Sequence, residues 1–282
     1  MPELPEVETI RRGLEPRIVG QTIASVLLHW PKFWQGDLTL VEGQRVVAVR
    51  RLAKVLLIDL ENLQTIMIHL KMTGQLVHLN TVGQAAVGGH PDTNYRQPLP
   101  HKHTHLEYRF ADGGVLYAND LRKFGWHRLV PTEQVEAKIG PSLAGVDAST
   151  DALTAQKLTE LLAKRPKAPI KQFLLDQSLI SGLGNIYVAE ALYRAKILPT
   201  RLAHTLNALE IEVLAKAVRQ ILAEAIAAGG TSFNDYLNVE GQQGSFLEQA
   251  AVYQQEKCPL GHPILKIKQG GRTTHYCAIC QQ

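Results

Sequence analysis

Met1-Pro2-Glu3-Leu4-Pro5-Glu6-Val7-Glu8-Thr9-Ile10, continuing to Leu14 and Gly20, carries two readings at once. Leu4, Val7, Ile10 and Leu14 recur at helical spacing behind Pro5, and Gly20 offers a stop, so residues 5 to about 18 are expected to form a helix. Removal of Met1 leaves the secondary amine of Pro2 beside the carboxylates of Glu3 and Glu6. An α-amino group titrates near ~7.7–8.0 against ~10.4 for an unperturbed lysine, so a useful fraction is neutral at pH 7 and able to form an iminium with a sugar aldehyde. The same residues also suit an ordinary helix start, with proline in the first turn and acids at the positive end of the dipole. On these residues alone the ordinary helix start is the favoured reading.

Beyond Gly20 the pattern changes. Apolar runs at 22–28, 46–60, 65–70 and 76–79 are short and β-branched, and Asp112-Gly113-Gly114 marks a hairpin turn. Residues 21–130 are therefore expected to be a β-domain of two packed sheets. Residues 81–104, with Gly88, Gly89, Pro91, Pro98 and Pro100 and no periodicity, read as a long loop. From 153–162, 170–177, 186–196 and 206–228 the apolar spacing is helical and rich in Ala and Leu. A polar, glycine-containing stretch and a short basic tail follow. The fold class expected is α+β, in four parts: a β-sandwich with an N-terminal helix (1–132), a helical domain (133–228), a linker segment (229–257) and a tail module (258–282).

At 282 residues, 45% hydrophobic and 20% charged, the chain has the makings of two cored domains, and disordered and fibrous classes are excluded. No run approaches the ~20 apolar residues of a membrane span, and the acidic opening lacks a signal peptide's basic and apolar regions. The expected location is the cytoplasm. A net charge of +4 permits a polyanionic partner without demanding one. The three cysteines all lie in the tail, which favours metal over disulfides.

The tail reads Cys258-Pro259-Leu260-Gly261-His262, then Cys277-Ala278-Ile279-Cys280. Two knuckles separated by a strand-sized spacer have the spacing of a zinc ribbon. Three Cys and one His would fill a tetrahedral, structural site, unless the two pairs are unrelated. Between the knuckles Gly270-Gly271-Arg272 sets an arginine at a hairpin tip, where it either grips phosphate or is merely solvated. Ser181-Gly182-Leu183-Gly184-Asn185 is either a turn that brings amides to a phosphate at a helix start or an ordinary interhelical turn. Lys164, Arg165, Lys167 and Lys171 nearby tilt it towards nucleic acid. In the β-domain, Met72, Arg122 and Phe124 offer apolar and cationic contacts of the kind that unstack a duplex, and core packing explains Met72 and Phe124 equally well. His101, His103 and His105 alternate. A loop histidine, a phosphate contact by His103 and a metal face are all open.

Taken together, Pro2-Glu3-Leu4-Pro5-Glu6-Val7-Glu8-Thr9, Arg51-Leu-Ala53-Lys54, His69-Leu-Lys-Met72, Asp120-Leu-Arg122-Lys-Phe124-Gly125, Gly182-Leu-Gly-Asn185 and the tail resemble the bacterial formamidopyrimidine-DNA glycosylases over essentially the whole chain. The resemblance implies a bifunctional enzyme that binds double-stranded DNA as a monomer, excises oxidised purines such as 8-oxoguanine and formamidopyrimidines, and cuts the abasic site by β,δ-elimination. It implies Pro2 as nucleophile, Glu3 in proton transfer, Lys54 in β-elimination, Arg272 in δ-elimination and Glu6 in orientation. Met72, Arg122 and Phe124 would fill the void left by an extruded base, with Arg122 facing the orphaned partner. His69, His103, Arg165 and Asn185 would hold phosphates, residues 154–195 would form a helix-two-turns-helix, and 229–250 would cap the lesion. One structural Zn2+ would be held by Cys258, His262, Cys277 and Cys280. Rival readings are a non-catalytic binder of damaged DNA and the pyrimidine specificity of endonuclease VIII, whose typical Pro-Glu-Gly-Pro opening differs from Leu4-Pro5 here.

Three features depart from the family pattern. His262 stands in for the second cysteine of the usual first Cys-x-x-Cys knuckle, the loop from Asn80 to Lys102 is longer than usual, and Pro166 interrupts the lysine-rich run. The first bears on zinc affinity.

Overall fold

The chain divides into two compact units, Met1–Ile139 with Ala228–Ser245, and Gly140–Ala227 with Phe246–Gln282. The computed structural model describes residues 2–89, 98–141, 143–230 and 245–282. Parts of two expected segments, 90–97 of the long loop and 231–244 of the capping stretch, lie outside the described residues.

The first unit opens with α1 (Leu4–Ile18), matching the helix expected from the apolar spacing. Ten strands follow: β1 (Ile23–Leu28), β2 (Trp34–Gln35), β3 (Val46–Leu52), β4 (Val55–Leu60), β5 (Gln64–His69), β6 (Gly74–Leu79), β7 (Ala85–Gly89), β8 (Thr104–Phe110), β9 (Val115–Asp120) and β10 (Trp126–Pro131). They make two five-stranded sheets, ordered β1-β8-β9-β6-β7 and β2-β10-β5-β4-β3. Ile23, Leu76, Leu106 and Leu116 of one sheet join Val46, Leu56, Ile58 and Ile66 of the other in a single core. Val7, Ile10, Leu14 and Ile18 of α1 belong to the same core. This is the β-sandwich with an N-terminal helix, and burial of these side chains is its main stabilising term. A short helix, α2 (Val135–Lys138), closes the unit's first segment.

Two local expectations differ from what is found. The run 46–60 is two strands, turning at Ala53-Lys54 with Ala53 at φ 54°. No Gly, Asn or Pro marks that turn, so an unbroken apolar run hides it. The region that reads as loop contains β7, paired antiparallel with β6. Its glycines are there for close approach: a Cβ on Gly88 would stand 2.7 Å from Ile10 Cγ1, and one on Gly89 2.5 Å from the Gly74 carbonyl oxygen.

The second unit contains β11 (Val146–Asp147), α3 (Ala155–Leu162), α4 (Ile170–Leu174), β12 (Ile180–Ser181), α5 (Asn185–Arg194), α6 (Ala208–Ala227) and the hairpin of β13 (Leu265–Gln269) and β14 (Arg272–Tyr276). Thr154 Oγ1 accepts the Lys157 N–H at 3.0 Å and so caps α3. Leu158, Phe173, Tyr187, Leu192, Leu214 and Val218 are buried, and α5 packs on α6. The stretch 154–195, expected to form the helix-two-turns-helix, holds α3 as well as α4, its turns and α5, and β13–β14 is the tail ribbon. Among the described residues no helix is long and apolar enough to cross a membrane.

Candidate functional site

Pro2 and Glu3 are buried ahead of α1. Glu3 is the N-cap, its main-chain N–H donates to Glu6 Oε2 at 2.7 Å, and the two acids form a capping box. Glu6 thereby fixes the backbone from which Glu3 and Pro2 project. Across this carboxyl runs the chain at Gly230, where a Cβ would stand 3.1 Å from Glu6 Oε1. Lys54, on the β3–β4 turn, is buried as well, at 3% exposure.

His69 ends β5, and its Nδ1 accepts the Lys71 N–H at 3.0 Å, which leaves the ring hydrogen on Nε2. Burial first, then the charges of Lys71, Lys54 and Arg128, push its pKa down to about 3. The imidazole is a neutral donor among cations, and Lys54 is one of them.

Met72 and Phe124 are 40% and 52% exposed, which sets aside the core-packing reading. They stand on two tight loops that share one carboxylate. Fully buried Asp120 accepts hydrogen bonds from the Thr73 hydroxyl, from the Arg122 N–H at 3.1 Å and from the Gly125 N–H at 2.7 Å. Thr73 Oγ1 also accepts the Arg122 N–H, at 3.0 Å. The guanidinium of Arg122 lies 4.7 Å over the Phe124 ring. Below Met72 the chain turns so sharply that a Cβ on Gly74 would run into the Leu70 carbonyl. The main chain of Asp120 is fixed in turn: its N–H donates to the His103 carbonyl at 3.0 Å, and its own carbonyl contacts His105 Nε2 at 2.8 Å. His105 is thus buried structural support, and among the described residues the alternating histidines join no three-ligand metal cluster. The role of Asp120 escapes a reading of the sequence alone. Its signal is an Asp two residues before a backbone N–H it can accept, an Asx turn.

In the second unit Gly184 is the N-cap of α5, and Asn185 is the first residue of the helix. The Asn185 amide donates to the Thr273 carbonyl at 3.0 Å. Lys171, buried on α4, donates to Thr274 Oγ1 at 2.6 Å. Both therefore grip β14 next to Arg272, which stands exposed after the Gly270-Gly271 turn (φ 57° and 72°). In the sequence Lys171 is only one member of a basic cluster. Nothing in its neighbourhood announces a partner a hundred residues away. Arg165 is exposed and ion-paired with Asp176 at 3.0 Å. Glu190 of α5, buried, accepts the N–H groups of Ala251, Val252 and Tyr253 at 2.7, 3.0 and 2.7 Å, tying down the approach to the tail.

The ligand atoms of Cys258, His262, Cys277 and Cys280 all lie within 4.8 Å of one another. Sγ of Cys258 is 3.8 Å from Sγ of Cys280 and 3.7 Å from Nδ1 of His262, which is 3.2 Å from Cys280 Sγ. Bonds of ~2.3 Å to sulfur and ~2.0 Å to nitrogen give tetrahedral edges of roughly 3.5–3.8 Å, so the four groups fit one tetrahedral metal ion. His262 reaches inward through Nδ1. Burial opposes ionisation of Cys258, but the N–H groups of Leu260 and His262 and the Tyr193 hydroxyl stabilise its thiolate and bring the pKa to about 6.

Comparison with known proteins gives one answer. Residues 1–127 match the formamidopyrimidine-DNA glycosylase N-terminal domain, and residues 144–236 match the H2TH domain of the same enzymes. The formamidopyrimidine-DNA glycosylases of Cereibacter sphaeroides and Gluconobacter oxydans are 39% and 40% identical to this chain, with both chains covered completely. A crystal structure of a Lactococcus lactis FPG mutant in complex with Fapy-dG-containing DNA superposes with a TM-score of 0.86 at 35% identity, covering 100% of both chains. The MutM (FPG) protein of Thermus thermophilus superposes at 0.84 and 35%, covering 99% of this chain and 98% of that one. A sandwich with a buried Pro-Glu start, a helix-two-turns-helix and a Cys/His ribbon defines a class of DNA repair glycosylase. Within that class, the chain belongs to the formamidopyrimidine-DNA glycosylase family.

Proposed function

We propose that the chain is a bifunctional DNA glycosylase and abasic-site lyase of base excision repair, acting as a monomer on double-stranded DNA that carries 8-oxoguanine, formamidopyrimidines or abasic sites. The observation that carries this is the start of α1, where Pro2 and Glu3 are buried and held by the Glu3–Glu6 capping box. Solved relatives bound to Fapy-dG and to abasic-site DNA support the substrate class. With Met1 removed, the Pro2 nitrogen attacks C1′ of the extruded nucleotide, the glycosidic bond breaks, and the base leaves with a proton. The sugar ring opens to an iminium, whose positive charge acidifies the 2′ hydrogen. Loss of that proton expels the 3′ phosphate, and a second elimination expels the 5′ phosphate.

Glu3 moves protons at the sugar, and Lys54 and Arg272 serve the two eliminations while neutralising flanking phosphates. Neutral His69 donates from Nε2, and His103, Arg165 and Asn185 complete the phosphate grip. For Arg165 this means exchanging Asp176 for phosphate. The exposure of Met72, Arg122 and Phe124 and their common support on Asp120 suit a wedge that fills the gap and faces the orphaned base. One Zn2+ on Cys258, His262, Cys277 and Cys280 would cross-link the ribbon and leave no open coordination position. The functional division we propose is 1–132 for chemistry, 133–228 for DNA grip, 229–257 for lesion capping and 258–282 for the ribbon.

Excision assays with matched duplexes test the specificity. The wild-type chain should release 8-oxoguanine much faster than thymine glycol, and Glu3→Gln should abolish release. Equal or reversed preference would replace the purine reading with the endonuclease VIII-like one.

A further inference from the structure

The elements that carry Pro2, Glu3 and Lys54 are joined by an arginine outside the proposed chemistry. Arg51 lies on β3, and its side chain is only 10% exposed. Its Nε donates to Glu8 Oε2 of α1 at 3.2 Å, while its Nη1 donates to the carbonyl oxygen of Ala53 at 2.8 Å. Glu8 sits on the helix that begins at Glu3, and it is clamped on its other side by Arg11 at 3.0 Å and Arg12 at 2.9 Å. Ala53 immediately precedes Lys54 and holds φ 54°, a left-handed conformation that a residue with a Cβ adopts only when its surroundings enforce it. The Arg51 fork supplies such an enforcement, since it grips the carbonyl of the strained residue itself. A guanidinium suits this bridging task because its donors sit in a rigid plane, whereas a lysine offers a single point charge.

We infer that Arg51 is a positioning residue for the elimination step: braced by Glu8, it sets the strained Ala53-Lys54 turn, and hence the Lys54 ammonium, relative to the helix that carries Pro2 and Glu3. This rests on the role proposed for Lys54. Arg51 touches neither the sugar nor the base, so its influence falls on what Lys54 does and spares iminium formation at Pro2. The bland alternative is that the ion pair merely fastens α1 to β3. In that case its loss lowers stability and all activities together.

The test uses the full-length chain as wild type, Arg51→Met, Arg51→Lys, Ala53→Gly and Lys54→Ala, on duplexes with a preformed abasic site. Single-turnover strand cleavage reports elimination, borohydride trapping reports the iminium, and thermal melting reports the fold. Arg51→Met should slow elimination by about tenfold, since a displacement of ~1 Å at a reacting group costs up to ~10²-fold. Trapping should stay within about twofold of wild type. Arg51→Lys should recover little of the rate. Ala53→Gly, which relaxes the backbone without touching a charge, should slow elimination in the same selective way. Elimination by Arg51→Met within about twofold of wild type, or a parallel fall of trapping, elimination and melting temperature, overturns the inference. Unchanged elimination in Lys54→Ala would show the separate failure of the lysine's proposed role, and the Arg51 inference would fall with it.

Discussion

Two imidazoles buried in the first unit, His69 and His127, are neutral at pH 7, each pushed by burial from 6.5 down to about 3. His127 Nδ1 contacts the buried Tyr108 hydroxyl at 2.7 Å, as His69 Nδ1 meets the Lys71 N–H at 3.0 Å. A lowered folded pKa means that the unfolded chain binds the proton first. These groups therefore leave stability intact above about pH 6.5 and erode it as the pH falls towards 3. Thermal melts of the wild type should fall steadily between those limits, and His127→Phe should flatten part of that slope. An unchanged slope would mean that His127 is protonated in the folded state. At this scale candidate residues are legible wherever they are local in sequence. The Cys/His cluster of the tail stands out by type and spacing, whereas Pro2 and Glu3 stand out only beside the other motifs of the chain. Thr73 and Lys171 do not stand out, because each acts through a partner that only the fold brings near, and the local turn at Asp120 gains its link to Thr73 in the same way.

Helix α1 shows what an element owes to a distant glycine. Its apolar face is readable from the spacing of Val7, Ile10 and Leu14, but the strand it presses on reads as loop, because Gly88 and Gly89 look like turn residues. With Ile10 Cγ1 only 2.7 Å from where a Cβ would be, Gly88→Ala must displace the Ile10 side chain or the helix that carries it. We expect a loss of about 1–3 kcal/mol in denaturant unfolding, the usual cost of overpacking. Ile10→Ala removes the atoms in the way, so the double variant should be clearly less destabilised than the sum of the two single changes. Strict additivity would mean that the helix and strand do not meet there. The β3–β4 turn hides in the sequence for the opposite reason. Ala53 and Lys54 carry no turn signature, and the conformation is imposed by the hydrogen bonds around them.

For the whole molecule, the sandwich, the helical unit and the ribbon all follow from where apolar periodicity changes from two to 3.6 and where the cysteines gather. The first knuckle departs from the Cys-x-x-Cys pattern that the family resemblance implies. His262 brings Nδ1 to 3.2 Å from Cys280 Sγ, so the longer loop still closes the ligand set. Elemental analysis should find one zinc per chain, falling well below one in His262→Ala. Chelation should unfold the ribbon, since binding and local folding are one process at such sites. Full zinc content in His262→Ala would remove His262 from the ligand set.

Everything proposed about the chemistry depends on Pro2 acting as the nucleophile. Borohydride reduction in the presence of 8-oxoguanine or abasic-site duplex, followed by peptide mass mapping, tests this most directly. The expected result is a covalent protein–DNA adduct on the nitrogen of Pro2, with Met1 absent, strongly reduced in Pro2→Gly. An adduct on a lysine, no adduct at all, or retention of Met1 in the active enzyme would contradict it.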